Sequence, residues 1–233
     1  MDYEAKLETF YTQLPLTGEI VVDVGAHTGR HAVPLSKLVG MDGICYAFEP
    51  VPIVRQALAA NIASLALNNI VIFPVALGEA NRLANFNFIP NIPQESGLKK
   101  RVVYNAVPSE FQQIPVKVCR LDDVLPSVDN VKFIKMDVEG GEMDVLRGSI
   151  KILENSRPIV AFERDAAGYP AYSATPDEIF EIFSKRGYSV FSITGIRIEN
   201  TDDFRRETTT QRFLDYIAFP ELQPELAAIL TAH

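Results

Sequence analysis

Ile20-Val21-Val22-Asp23-Val24-Gly25-Ala26-His27-Thr28-Gly29 is the stretch on which the fold turns. Ile20 to Val24 form an apolar, largely β-branched run of the kind that makes a strand buried on both faces. Gly25 and Gly29 follow at once, and without Cβ atoms they let the backbone approach a ligand closely. The segment from Thr28 to Val39 then reads as a helix, with Pro34 tolerable in or near its first turn. A strand that runs through a glycine turn into a helix offers free N–H groups to a carboxylate or phosphate, which is how a nucleotide-like cofactor is held.

Outward from this stretch the rhythm repeats. Ile44 to Phe48 is a second strand ending at Glu49-Pro50, and Val54, Leu58, Ile62 and Leu65 mark one face of a helix. Asn68-Asn69 turns the chain into a third strand, Ile70 to Val75. Strand and helix alternating in this way predict an α/β protein with a parallel, doubly wound sheet that binds ligands beyond the carboxyl ends of its strands. Residues 79–120 interrupt the alternation with Pro90, Pro93, Pro108 and Pro115 and with two short strand-like pieces, Asn85 to Phe88 and Val116 to Val118. They read as an inserted, partly antiparallel β elaboration.

Alternation resumes with a strand at Val131 to Met136, a helix whose Met143, Leu146, Ile150 and Leu153 share a face, and a strand at Pro158 to Phe162. Thr175, Pro176 and Glu178 then spell a helix start with a capping box, and Gly187 suits its end. Tyr188 to Ile193 and Phe213 to Phe219 predict a closing antiparallel hairpin, with the charge run Asp202 to Glu207 as a solvated loop. Residues 1–18 contribute a short amphipathic N-terminal helix, and the whole of 1–233 is expected to be one domain.

Composition narrows the function. A chain of 233 residues with 47% hydrophobic content is long enough for one sizeable α/β core. Twenty-two basic against thirty acidic residues, a net charge of −8 with the Lys and Arg scattered, do not make the footprint of a nucleic-acid binder. A small-molecule or neutral-glycan substrate fits better. Cys45 and Cys119 are too few for a disulfide framework or a zinc site and read as reduced core residues. No apolar run approaches the ~20 residues that span a bilayer, and Met1 to Leu16 lacks the apolar core of a secretory signal. A soluble cytoplasmic protein without membrane or nucleic-acid partners is expected; the oligomeric state stays open.

The chemistry concentrates at strand ends. Glu49 closes the second strand, where a carboxylate can accept hydrogen bonds from both hydroxyls of a ribose. A nicotinamide dehydrogenase would use the same device, but its G-x-G-x-x-G fingerprint meets His27 and Arg30 here in place of the second and third glycines. A cofactor with a carboxylate tail and no diphosphate tolerates His27, which points to S-adenosylmethionine with its amino-acid end on the turn from Gly25 to Gly29. Lys135-Met136-Asp137-Val138-Glu139-Gly140-Gly141-Glu142 sets three carboxylates and an ammonium at the end of the fourth core strand. Lys135 and Asp137 share a side of that strand, and a lysine inside an apolar strand needs a partner, Asp137 or Glu163. Glu139 and Glu142 also suit the start of the next helix. Glu163 ends the fifth core strand and should open on the same edge as Asp137, so that either carboxylate could take the proton of an acceptor. A required divalent metal is not expected; Asp137 and Glu163 are its ligands if one is present. His31 reads as a satisfied first-turn histidine rather than a base.

With these residues in view, the chain resembles the FkbM family of S-adenosylmethionine-dependent methyltransferases. The resemblance rests on Val22 to Gly29, on Tyr46-Ala47-Phe48-Glu49-Pro50 with Asn61 and Asn68, and on Ala76-Leu77-Gly78, Ser96-Gly97 and Leu121-Asp122-Asp123. Ile134 to Glu142, followed by Leu146-Arg147-Gly148, is its most specific block. It implies a Rossmann-like, seven-stranded class I methyltransferase sheet, mostly parallel, and O-methylation of a hydroxyl on a sugar, glycan or polyketide-type small molecule. Carried onto this chain, it places Gly25, Ala26 and His27 at the methionine end, with Asp23, Thr28 and Gly29 completing the turn. Glu49 and Pro50 fall at the ribose, Ala76-Leu77 at the adenine, with Ser96 and Asp137 beside the cofactor. Asp137, Glu163, Lys135 and Glu139 are the candidate catalytic residues. The chain departs from the family at His27, more often asparagine, and at Arg164-Asp165, where relatives often carry a histidine. Residues 79–120 and the loops around Tyr169, Tyr172 and Asp202 are expected to shape the acceptor site. The competing readings are an S-adenosylmethionine-binding protein without methyl transfer and a nicotinamide-dependent oxidoreductase.

Overall fold

A computed structural model describes residues 2–100, 111–125, 130–164, 169–172, 174–210, 215–220 and 224–231. The elements are α1 (Tyr3–Tyr11), β1 (Ile20–Val24), α2 (Ala32–Val39), β2 (Ile44–Phe48), α3 (Pro52–Ser64), β3 (Ile70–Phe73), β4 (Ala76–Leu77), β5 (Arg82–Phe88) and β6 (Gln112–Cys119). They continue with α4 (Leu121–Val124), β7 (Val131–Met136), α5 (Glu142–Arg147), α6 (Ile150–Asn155), β8 (Ile159–Glu163), α7 (Tyr169–Tyr172) and α8 (Pro176–Ser184). The last are β9 (Tyr188–Ser192), β10 (Arg197–Ile198), α9 (Thr201–Thr210), β11 (Asp215–Pro220) and α10 (Pro224–Thr231).

One eight-stranded sheet runs in the order β10-β9-β11-β8-β7-β1-β2-β3. β1, β2, β3, β7 and β8 are parallel, while β11 slots antiparallel between β8 and β9. Seven of these strands match the expected sheet, and the two-residue β10 adds an eighth, antiparallel to β9. The order reverses beside β1, so the carboxyl ends of β1, β2 and β7 open on a common crevice. Val22, Val24, Ile134, Met136, Val160 and Phe162 fill one face of the sheet. Val21, Phe133, Ala161 and Ile217 fill the other, which α1 and α2 cover through Leu7, Tyr11 and Leu35. This double burial is why the central strands are nearly continuous apolar runs.

Several expectations shift. The third strand stops at Phe73; Ala76-Leu77 leaves it for a second sheet of order β4-β6-β5, in which β5 and β6 are antiparallel. The helix expected from Thr28 begins only at Ala32, with Pro34 in its first turn. The single helix expected across Met143 to Leu153 is two, α5 and α6, broken where a Cβ on Gly148 would lie 2.1 Å from the Gly78 carbonyl oxygen. Asp122 restarts it by accepting the Lys151 and Ile152 N–H groups, each at 3.1 Å. The capping box forms as read, Thr175 Oγ1 taking the Glu178 N–H and Glu178 taking the Thr175 N–H.

The run Asp202 to Glu207, expected to be a loop, is helix α9. Asn200 Oδ1 accepts the Asp203 N–H at its start, and Arg205 and Arg206 pair with Asp202 and Asp203 one turn back. Its narrow apolar stripe reduces to Phe204, edge-on to Tyr216 with ring centroids 5.0 Å apart. The closing strands β9 and β11 do pair antiparallel as expected, with β10 and α9 in the connection between them. Phe213, the expected start of the last strand, Asp165, Pro108 and the side chain of Tyr169 lie outside the described residues. No helix among the described residues is long and apolar enough to cross a membrane.

Candidate functional site

At the end of β1 the chain folds onto its neighbours through its backbone. Gly25 has φ 80°, and a Cβ there would stand 1.9 Å from the carbonyl oxygen of Asp137, so the turns after β1 and β7 touch where only glycine fits. The N–H groups of Gly25 and Ala26 both bond the Phe48 carbonyl, at 3.1 and 3.0 Å. The turn is thus anchored to β2 rather than presenting these donors freely. His27 is a non-glycine residue at φ 48°; its N–H donates to Glu49 Oε2 at 3.0 Å, and its ring Nε2 is buried with no protein partner. Burial holds the His27 pKa below its ordinary value. Asn61 closes the turn from α3, donating to the Thr28 carbonyl at 2.8 Å.

Glu49 accepts on both oxygens, from His27 and, at 2.7 Å, from the Val51 N–H. Burial outweighs these two bonds and raises its pKa to about 7. Arg55 donates to the carbonyls of Glu49 and Pro50 rather than to the carboxylate. The Glu49 carboxylate lines the crevice, held in place and, among the described residues, with no cation in ion-pair contact.

The ends of β7 and β8 carry charge. Lys135 sits opposite Asp23 in register and donates to Asp137 Oδ2 at 3.1 Å. Burial works against its ammonium, but Asp137, Asp23 and Glu4 together push its pKa up. Burial also opposes ionisation of Asp137, yet the Lys135 ammonium and a hydrogen bond with Glu163 hold it below the usual carboxylate range. Glu163 is pushed well up by burial and by the Asp137 charge, so Glu163 keeps the proton of this pair. Asp215, opposite Glu163 in register, is raised by burial to about 7. Asp137, Glu139 and Glu163 each place one oxygen within 4.8 Å of the others, a set that could ligate a hard cation. In this structure Lys135 supplies positive charge at the same spot.

The turn from β7 into α5 has Glu139 at φ 61° and Gly140 at φ 97°. Glu142, 1% exposed, holds it: Oε1 accepts the N–H groups of Val138 and Gly140, at 3.0 and 3.3 Å. Burial raises Glu142 to about 7. Beneath the sheet edge His31 is enclosed by Tyr11 Oη, 3.2 Å from Nδ1, and by the Glu4 carboxylate; it is the satisfied histidine its position suggested.

One cavity gathers these ends, open to solvent on one side. Of the sequence-predicted residues its wall contains Gly25, His27, Glu49, Pro50, Ala76, Leu77, Ser96, Asp137 and Glu139. Asp23, Ala26, Thr28, Gly29, Lys135 and Glu163 are not in the wall. Asp23 is 1% exposed on the Lys135 side of the sheet, and Glu163 acts through Asp137. The inserted segment and the stretch around Tyr172, both expected to shape the acceptor site, do reach the cavity; the sequence reading did not single out Phe86, Pro93, Gln94 and Leu98 within that segment. Proline-broken stretches carry no periodicity from which an inward face can be read.

The family model described as the methyltransferase FkbM domain matches residues 23–190. Methyltransferase 1 of Beauveria bassiana is 29% identical over 143 residues, which cover 55% of this chain and 57% of that protein. The chain spans less than two thirds of the curated relatives it matches first. A crystal structure of Methyltransferase FkbM from Methylobacillus flagellatus superposes with a TM-score of 0.55 at 19% identity, over 91% of this chain and 47% of that one. SMU.1697c of Streptococcus mutans, solved in complex with SAH, superposes at 0.53 and 13% identity, over 94% and 98%. These likenesses show a class I methyltransferase fold.

Proposed function

The chain belongs to the FkbM methyltransferase family, and on that premise we propose that it binds S-adenosylmethionine and methylates a hydroxyl of a sugar, glycan or polyketide-type small molecule. One observation carries the reading: a single cavity holds the Gly25–His27 turn, the Glu49 carboxylate, the Ala76-Leu77 strand and Asp137 in its wall. These are, in order, grips for an amino-acid end, a ribose and an adenine, followed by a proton acceptor. The residues fit that cofactor. Glu49 is fixed by two N–H groups yet faces the cavity, and His27 Nε2 is a buried polar atom in want of a partner.

Bound there, S-adenosylmethionine supplies an already activated methyl group. The protein would align the acceptor hydroxyl with that methyl group, and alignment contributes up to ~7–11 kcal/mol in well-oriented systems. Asp137, held below the usual carboxylate range beside Lys135, takes the hydroxyl proton; Glu163, pushed up by burial and by the Asp137 charge, orients it through their hydrogen bond. A placed base contributes roughly 10²–10⁴-fold.

The test combines calorimetric titration of S-adenosylmethionine with turnover against a panel of hydroxyl acceptors. Asp137→Asn is expected to lose about 10²-fold or more in turnover with cofactor affinity kept. Cofactor binding without turnover on any acceptor would leave a binding protein, and binding of NAD alone would overturn the reading.

A further inference from the structure

Tyr172 ties the inserted segment that roofs the cavity to the turn after β7. Its ring is 5% exposed and belongs to the cavity wall. Its hydroxyl accepts the Lys99 N–H at 3.2 Å, and the Lys99 ammonium lies 4.9 Å from the ring centroid. Two glycines make room for it. A Cβ on Gly97 would come within 3.3 Å of Tyr172 Oη, and a Cβ on Gly141 within 3.3 Å of Cε1. Tyr172 is therefore wedged between the roof, at residues 97–99, and the turn after β7 that carries Asp137 and Glu139.

The roof is a unit of its own. Gly97 exchanges both backbone hydrogen bonds with Asn87 of β5, the Asn87 side chain reaches the Leu98 carbonyl, and Ser96 Oγ accepts the Ile89 N–H. Residues 93–98 are thus fastened to the second sheet, which shares an apolar cluster with Val51 and Val54 at the start of α3. Pro93, Gln94, Ser96 and Leu98 face across the cavity to the Gly25 turn and Glu49. A ligand lodged between these walls has the roof over it.

Resting on the reading that the cavity takes S-adenosylmethionine, we propose that Tyr172 is the latch of this roof and that cofactor enters and leaves by its release. A latch differs from a structural tyrosine in kinetics. Releasing it speeds entry and exit together, so the rates rise while the equilibrium constant changes little; a structural defect weakens binding and lowers the melting temperature instead.

The probe is S-adenosylhomocysteine, followed by stopped-flow fluorescence with a displaced fluorescent analogue. Tyr172→Phe keeps the ring and removes the hydroxyl, a loss of about 1 kcal/mol, or about fivefold in rate. Association and dissociation rate constants are both expected to rise about fivefold, with Kd within twofold of wild type and Tm lower by no more than about 2–4 °C. Gly97→Ala, which forces the roof away from the hydroxyl, should do the same with Tyr172 intact. Unchanged rate constants in both variants, or a rise in dissociation alone, would overturn the latch. Failure of the wild-type protein to bind S-adenosylhomocysteine would instead overturn the cofactor reading beneath it.

Discussion

Two turns leave neighbouring parallel strands at the same edge of the sheet, residues 25–29 after β1 and residues 137–141 after β7. Each holds a non-glycine residue in the left-handed region, His27 and Glu139, and each is tied by a carboxylate that accepts two backbone N–H groups. Burial raises both carboxylates, Glu49 and Glu142, to about 7. Their positions separate them. Glu49 reaches its turn from the adjacent strand and shows its oxygens to the cavity, whereas Glu142 reaches back from α5 and is enclosed, with Oε2 buried and unpartnered. A carboxylate accepting two N–H groups thus faces the cavity at one turn and only the backbone at the other.

The contact between the turns is the first place to break this comparison. Gly25→Ala puts a Cβ 1.9 Å from the Asp137 carbonyl oxygen at φ 80°. It is expected to cost about 3 kcal/mol or more, read as a lower midpoint in urea unfolding; a wild-type midpoint would mean that the turns do not share this contact. The carboxylates come next. Glu142→Ala leaves two buried N–H groups without an acceptor and should cost about 2–3 kcal/mol. Glu49→Gln should leave the midpoint nearly in place and weaken S-adenosylmethionine about tenfold in calorimetry, the loss of a charged acceptor for the ribose. The same affinity loss from both substitutions would erase the distinction.

How much of this was legible from sequence depended on which physical force wrote the pattern. β1, β2 and β7 run from end to end as read because burial on both faces leaves no alternative to an apolar run. The start of α8 was legible because a capping box is local chemistry. α9 was not, since its support is i,i+3 ion pairs and one buried phenylalanine, a stripe too thin to show a period. At the site, Glu49 and Asp137 could be placed because strand ends converge in a parallel sheet. The segment holding Pro93 and Leu98 could be expected near the acceptor, but those two residues could not be singled out, because irregular backbone sets which side chains turn inward. Asp122, picked out within a family block, turns out to start a helix.

The smallest effect sharpens the comparison by pH. Glu49 and Glu142 have folded pKa values raised from 4.5 to about 7. Their contribution to stability is therefore complete below about pH 4.5 and is lost as the pH rises through about 7. Cofactor affinity should run the other way, increasing from pH 6 to 8 as Glu49 ionises and becomes the better acceptor for ribose hydroxyls. Glu142→Gln should flatten the thermal-stability slope without touching the binding slope, and Glu49→Gln should flatten the binding slope. If Glu142→Gln flattened both, the two carboxylates would not be independent.

Gly78 and Gly148 meet backbone to backbone where the second sheet joins the body. A seam of that kind carries no side-chain identity: it specifies a distance of approach and nothing about what is built above it. Side-chain volume at the seam is therefore fixed at nothing, whereas the cavity wall above it is built from side chains of the second sheet and its loop, Phe86, Pro93 and Leu98.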